Sequence, residues 1–147
     1  MMITFRKITY KNFHQVAELD PGNDIFKVKN WMILLSAHYI TNCLEIKAIY
    51  KNGTLIGFFM LTSKIRPIYI EYLMLDKKYQ NQGLGKYCIK KIIKYIKNNY
   101  IVNSIYVSTS NPKAFYLYLK YGFKKLNNKL ADNYIKKYNE FLLIYKF

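Results

Sequence analysis

Acidic side chains are few. Eight Asp and Glu stand against 24 Lys and Arg, and the formal charge of +16 makes nucleic acid the first partner class to weigh. Arginine is scarcer still, with only Arg6 and Arg66. Specific base and phosphate recognition leans on the bidentate guanidinium, so a basic surface built almost wholly from lysine argues against nucleic acid as the partner. Lys, Asn, Ile and Tyr fill 71 of the 147 positions. All four have A/T-rich codons, so codon composition alone can raise the lysine count, and a solvated lysine surface accounts for the charge.

Cysteine is nearly absent. Cys43 and Cys88 fall on separate expected elements without metal-ligand spacing, which excludes a disulfide framework and suits a reducing, cytoplasmic setting. His14 and His38 have no companions that would make a metal site or a catalytic triad, so no metal is expected. Long apolar runs are missing too: residues 55–61 are strand-sized against the ~18 needed to span a bilayer, so no membrane partner is expected. The first residues lack the charged, apolar and small-residue succession of a signal peptide. Hydrophobic residues at 52% exclude a disordered tail, and the length suits one domain, 1–147, with a core of its own.

What is present is a regular alternation of elements. Residues 2–7 read as a strand, and Thr9 as the cap of a helix over 10–19. Residues 20–24 form a turn. The spacing of Val28, Trp31, Met32, Leu35 and Tyr39 predicts an amphipathic helix over 26–40. Strands at 45–50 and 55–61 flank Asn52-Gly53, the strongest short hairpin signal. Arg66-Pro67 bends the chain before a strand at 68–75. A helix from Leu84 to about Asn98 sets Leu84, Cys88, Ile89, Ile92, Ile93 and Ile96 on one face and Lys86, Lys90, Lys94 and Lys97 on the other. A strand at 104–108 follows. Asn111 then caps a helix with Pro112 in its first turn and Gly122 at its end. The final strand is 141–147. The order β-α-α-β-β-β-α-β-α-β-β implies an α/β (α+β) fold, a mixed central sheet of six to seven strands with helices on both faces.

The junction after residues 68–75 carries the chemistry. Tyr79-Gln80-Asn81-Gln82-Gly83-Leu84-Gly85-Lys86 leaves a strand and opens a helix, whose first N–H groups lack internal partners and carry the positive end of its dipole. Gly83 and Gly85 remove side chains that would keep an anion away. The segment is neither a Walker A loop nor a dinucleotide fingerprint. Its Gln-x-x-Gly-x-Gly form closely resembles the acetyl-CoA pyrophosphate loop of the GCN5-related N-acetyltransferase (GNAT) superfamily. Asn111-Pro112-Lys113-Ala114-Phe115-Tyr116-Leu117-Tyr118, continuing to Gly122-Phe123, resembles that superfamily's later motif, N-x-x-A-x-x-x-Y-x-x-x-G-F.

The resemblance covers residues 45–126 well and the first forty poorly. It implies a GNAT fold and acetyl-CoA as cosubstrate. Leu73, Met74 and Leu75 match the strand whose backbone pairs with pantetheine. Gln80, Asn81, Gln82, Gly83, Leu84, Gly85 and Lys86 match the loop around the pyrophosphate, and Asn111 and Ala114 match later cofactor contacts. Tyr118 matches the tyrosine that protonates the departing thiolate, a role suited to a phenol that is protonated at neutral pH. Tyr116, two residues away, serves as its control.

Glu71 is the only acid between Glu45 and Asp76 and lies in an apolar strand, where a carboxylate is costly unless it meets water, a partner or a cation. By strand alternation it shares a side with Leu73 and Leu75. Residues 68–75 also resemble the corresponding run of diamine and polyamine acetyltransferases, in which a glutamate meets the substrate amine and helps to deprotonate it. Tyr72 stands where those relatives carry a second acid. A structural ion pair or a solvent-facing side chain are the other readings of Glu71. The expected activity is acetyl transfer to a primary amine by direct attack in a ternary complex, with a small diamine or polyamine as acceptor. A peptide N-terminus, an amino sugar or a catalytically inactive CoA-binding domain stand as alternatives, and a homodimer is within what the resemblance allows.

Overall fold

The computed structural model describes residues 1–23, 30–34, 43–64 and 66–147. Strands β1 (Ile3–Lys7), β2 (Leu44–Lys51), β3 (Thr54–Thr62), β4 (Ile68–Leu75), β5 (Ser104–Thr109), β6 (Lys124–Lys125) and β7 (Phe141–Lys146) form one sheet in the order β1-β2-β3-β4-β5-β7-β6. Every neighbouring pair is antiparallel except β4 and β5. Parallel neighbours need a crossover. Here it is helix α3 (Leu84–Asn99). The other helices are α1 (Phe13–Ala17), α2 (helical at residues 30–34), α4 (Pro112–Lys120) and α5 (Lys129–Tyr138).

Two apolar clusters, one on each face, hold the sheet. On the first, α3 lays down Cys88, Ile89, Ile92 and Ile96, and α4 adds Tyr118, over Ile49, Ile56, Phe59, Leu61, Ile68, Ile70, Ile105 and Val107. Burying one such isoleucine contributes about 1.5–3 kcal/mol of transfer free energy. On the second, Val16, Ala17 and Leu19 from α1 and its following turn join Leu34 from α2 over Ala48, Tyr50, Phe58 and Met74. The β2–β3 hairpin turns through Asn52 at φ 48° and Gly53 at φ 85°, the positive values that a type I′ turn demands.

Three expectations need correction or limits. Helix α5 was not foreseen; it lies between β6 and β7, and Ala131 is its one buried residue. Asn12, not Thr9, precedes the first helix, which spans only Phe13–Ala17, and its side chain turns back to accept from Thr9 N at 2.7 Å. Of the helix expected over 26–40, residues 30–34 are helical. Phe26, Val28, Leu35, His38, Tyr39 and Ile40 lie outside the described residues.

Gly57 lets β3 and β4 approach where the site begins. A Cβ there would overlap the Met74 carbonyl oxygen and come within 2.8 Å of Leu75 Cδ2. Gly57→Ala should therefore cost about 1–3 kcal/mol or more, read as a lowered midpoint in chemical denaturation.

Candidate active site

Strands β4 and β5 pair only through Ile68↔Ile105, Tyr69↔Tyr106 and Ile70↔Val107. Beyond Ile70 they part: β4 continues beside β3, and β5 continues beside β7. The backbone of residues 71–75 on the β5 side thus has no ladder partner, and such groups demand water or a ligand. Leu73 and Leu75 pack with the α3 face and Met74 is buried on the opposite face, so the three residues offer backbone to the wedge between the strands, and side chains to the core.

The chain leaves β4 through Asp76 and a 3-10 turn at Lys77–Tyr79, then curls into α3. Asn81 at φ 59° and Gly83 at φ 73° are both left-handed. Gly83 stands at the N-cap of α3 with no side-chain cap behind it, and the first turn holds no acid. An uncapped, acid-free helix start of this kind is electrostatically suited to an anion. Lys113 Nζ reaches Asn81 Oδ1 at 3.4 Å from α4. The Gln80 and Gln82 side chains are spent on backbone carbonyls: Gln80 Nε2 donates to Leu75 O at 2.8 Å and to Pro21 O at 3.2 Å, and Gln82 Nε2 to Lys78 O at 2.6 Å. Lys86 Nζ lies over the Tyr87 ring at 4.7 Å. Leu84 is buried in the core beneath the loop. Gly85 is a close-packing point, since a Cβ there would meet Leu117 Cδ2 at 3.0 Å. Asn111 caps α4, accepting from Lys113 N at 2.9 Å and from Ala114 N at 3.4 Å, and Ala114 packs against the α3-side cluster.

Tyr118 is 5% exposed, in the cluster that also holds Leu73, Leu75 and Ala114. The helix ends two residues later in a Schellman closure, with Phe123 N donating to Tyr118 O and Gly122 N to Leu119 O. Phe123 folds back so that its ring lies 5.2 Å from that of Tyr118, fixing the side chain. Burial pushes the Tyr118 phenol well above its ordinary pKa. Tyr116 is 68% exposed and points away.

Glu71 sits elsewhere than its spacing suggested. The β3–β4 register shifts between Met60↔Tyr72 and Leu61↔Ile70, leaving Glu71 as the extra residue of a β-bulge. The bulge breaks the alternation. Ile70 and Leu73 pack on the α3 face, whereas Tyr72 packs on the other, and Glu71 faces that other side rather than sharing one with Leu73 and Leu75. There it acts on Tyr69, Tyr134 and Glu140. Glu71 meets solvent, yet crowding by the surrounding chain raises its carboxyl pKa, and the charge of Glu140 raises it further. Glu140 is held by Ser108, whose Oγ donates to Oε2 at 2.6 Å. Neither carboxylate forms an ion pair with a described residue. Tyr69 and Tyr134 flank Glu71, and their rings lie 5.2 Å from Tyr106 and 5.3 Å from Tyr138, both tilted.

The sequence profile of the Acetyltransferase (GNAT) family matches residues 8–123. This chain belongs to the GNAT acetyltransferase family. A probable spermine N(1)-acetyltransferase of Bacillus subtilis subsp. natto is 26% identical over 144 residues, covering 90% of this chain and 94% of that protein. Among solved structures, a GNAT family acetyltransferase from Elizabethkingia anophelis with acetyl-CoA bound superposes with a TM-score of 0.66 at 25% identity, over 99% of this chain and 98% of that one. A spermidine N-acetyltransferase from Vibrio cholerae in complex with CoA and spermine superposes with a TM-score of 0.73 at 16% identity, over 98% and 95%.

Sequence reasoning about this GNAT chain missed Glu140, Ser108, Tyr69 and Tyr134. They come from three elements and the residue before β7 and share no local motif; the one available signal was Asn128, whose side chain caps α5 by accepting from Ala131 N at 3.0 Å. A separate groove of about 480 Å³ runs along α3 past Phe5, Tyr87, Lys91, Lys94 and Tyr95, and none of the GNAT site residues lines it. Among the described residues no group of three or more His, Cys, Asp or Glu is placed to hold a metal ion, and no described helix is long and apolar enough to cross a membrane.

Removing the negative charge of Glu140 while keeping its shape should let Glu71 ionise at lower pH. A carboxyl-carbon NMR titration of Glu140→Gln against the parent reads this directly, with an unchanged Glu71 midpoint as the opposing result.

Proposed function

We propose that this chain transfers an acetyl group from acetyl-CoA to a primary amine of a small diamine or polyamine, by direct attack in a ternary complex. One observation carries the reading: the wedge between β4 and β5 has Tyr118 on one face and Glu71 on the other. The names of the relatives support a polyamine acceptor, and the uncompensated carboxylates of Glu71 and Glu140 among tyrosine rings are what a multiply charged ammonium chain needs.

Acetyl-CoA supplies an activated thioester with a good leaving group. The residues at 81–86 meet its pyrophosphate with N–H groups and the positive end of α3. The unpaired backbone of residues 73–75 orients the pantetheine arm, and an N–H of that edge polarises the acetyl carbonyl. Glu71 holds the incoming ammonium and takes its proton. A free alkylammonium titrates near 10, above any carboxylate here, so the proton passes on to solvent, which the exposed position of Glu71 permits. The Tyr118 phenol, kept protonated by burial across the working range, donates to the departing sulfur. The overall +16 attracts an anionic cosubstrate and repels a polycation, but charges farther than about 8 Å are screened, leaving the local pair to decide acceptor binding.

Thiol release dependent on acetyl-CoA, measured with putrescine, spermidine, spermine, glucosamine 6-phosphate and short peptides with free N-termini, should saturate with the polyamines. Turnover confined to peptides or amino sugars would replace the acceptor, and CoA binding without turnover on a broad amine set would support an inactive domain. Tyr118→Phe should lower kcat by about 10²-fold while sparing acetyl-CoA affinity, with Tyr116→Phe unchanged. Activity should fall as pH drops through the raised Glu71 pKa, because only the carboxylate accepts a proton, and Glu71→Gln should erase that acid limb.

A further inference from the structure

The turn after α1 is clasped to the chain leaving β4. Asp20 N donates to Asp76 Oδ2 at 2.8 Å, Lys77 N donates to Asp20 O at 2.6 Å, and Gln80 Nε2 donates to Pro21 O at 3.2 Å. An ion pair between Lys77 Nζ and Asp20 Oδ2 at 2.8 Å lies alongside. Asp76 is the centre of the clasp. It is only 7% exposed, and its second oxygen, Oδ1, accepts from Lys78 N at 3.0 Å within the 3-10 turn. One carboxylate thus bridges two segments far apart in sequence. Farther along β4, Tyr72 Oη donates to Asn30 Oδ1 at 3.0 Å, and Asn30 Nδ2 donates to Leu19 O at 3.1 Å. Asn30 is fully buried. The α1–α2 side is therefore latched to β4 at two points, one on each side of residues 73–75.

We propose that Asp76 is a positioning residue that couples the cofactor loop to the turn at 19–22. The turn belongs to the sheet face that carries Glu71, whereas residues 81–86 open α3 on the far side of the clasp. An anion seated on the loop steadies residues 77–80, and through Asp76 and Asp20 it steadies the turn. The acceptor face is completed when the cofactor loop is filled, and by linkage the coupling runs equally in the other direction. Asp76 touches no reacting atom. The inference rests on the placement of the pyrophosphate at residues 81–86.

The test uses CoA alone, so it needs no knowledge of the acceptor. Hydrogen exchange of the peptide spanning residues 19–22 is followed with and without saturating CoA, and CoA affinity is measured by calorimetry. In the parent protein CoA should slow exchange of the Asp20 and Gly22 amides by about tenfold, the scale of one hydrogen bond to a charged group. Asp76→Asn keeps one accepting oxygen and turns an NH₂ toward the other N–H. It should bind CoA about tenfold more weakly and, once saturated, protect the turn less than about twofold. Equal protection in Asp76→Asn and parent would overturn the coupling, as would a parent that binds CoA without protecting the turn. A parent that fails to bind CoA would overturn the cofactor placement itself, a different and recognisable failure. Gln80→Met, which opens the clasp at Pro21, gives the same reading should Asp76→Asn not fold.

Discussion

The parting of β4 from β5 after Ile70 is the constraint on which the rest depends. Two parallel strands that stayed paired to their ends would close the sheet and leave nothing for a ligand to bond. Because they separate, a run of backbone donors and acceptors is left at the centre of the sheet, at the end of β4 from which the chain runs on into the α3 crossover. The close approach of β3 and β4 at Gly57 and the bulge at Glu71 accompany a β4 that stays paired to β3 through Ile70 and Tyr72–Leu75 while its other edge is free beyond Ile70.

Two opposed electrostatic requirements meet at this opening. The loop entering α3 brings no acid into the first turn of the helix, in a chain whose charge is overwhelmingly lysine. Across the sheet, two of the eight acids converge, with no lysine paired to either among the described residues. Glu45 shows the contrast: burial would raise its pKa, but hydrogen bonds from Tyr100 and Tyr95 and the ion pair with Lys47 outweigh this and hold it low. A carboxylate used for structure is surrounded by donors. Glu71 is not.

Much of the fold was legible because its signals are local. The hairpin announced itself in Asn52-Gly53, α3 in its isoleucine spacing, and α4 in Asn111, Pro112 and Gly122, while the cofactor loop and Tyr118 sit in short motifs. What escaped was not local. A bulge has no residue signature, so counting alternate positions placed Glu71 on the wrong side. Helix α5 was hidden because it buries only Ala131, leaving Leu130 and Ile135 exposed, so its apolar periodicity has little to report. Nothing local marks Asp76, because its partner Asp20 lies 56 residues away.

The shallow seating of α5 makes the two faces of the sheet unequal in what they tolerate. Substitutions around Tyr118 strike a cluster in which nearly every neighbour is load-sharing core, so change there endangers the fold. Those on α5 strike side chains that mostly face water while still bordering Glu71 and Glu140. Sequence drift can therefore reshape the surroundings of the acid pair at little cost in stability, while the cluster around Tyr118 is held in place.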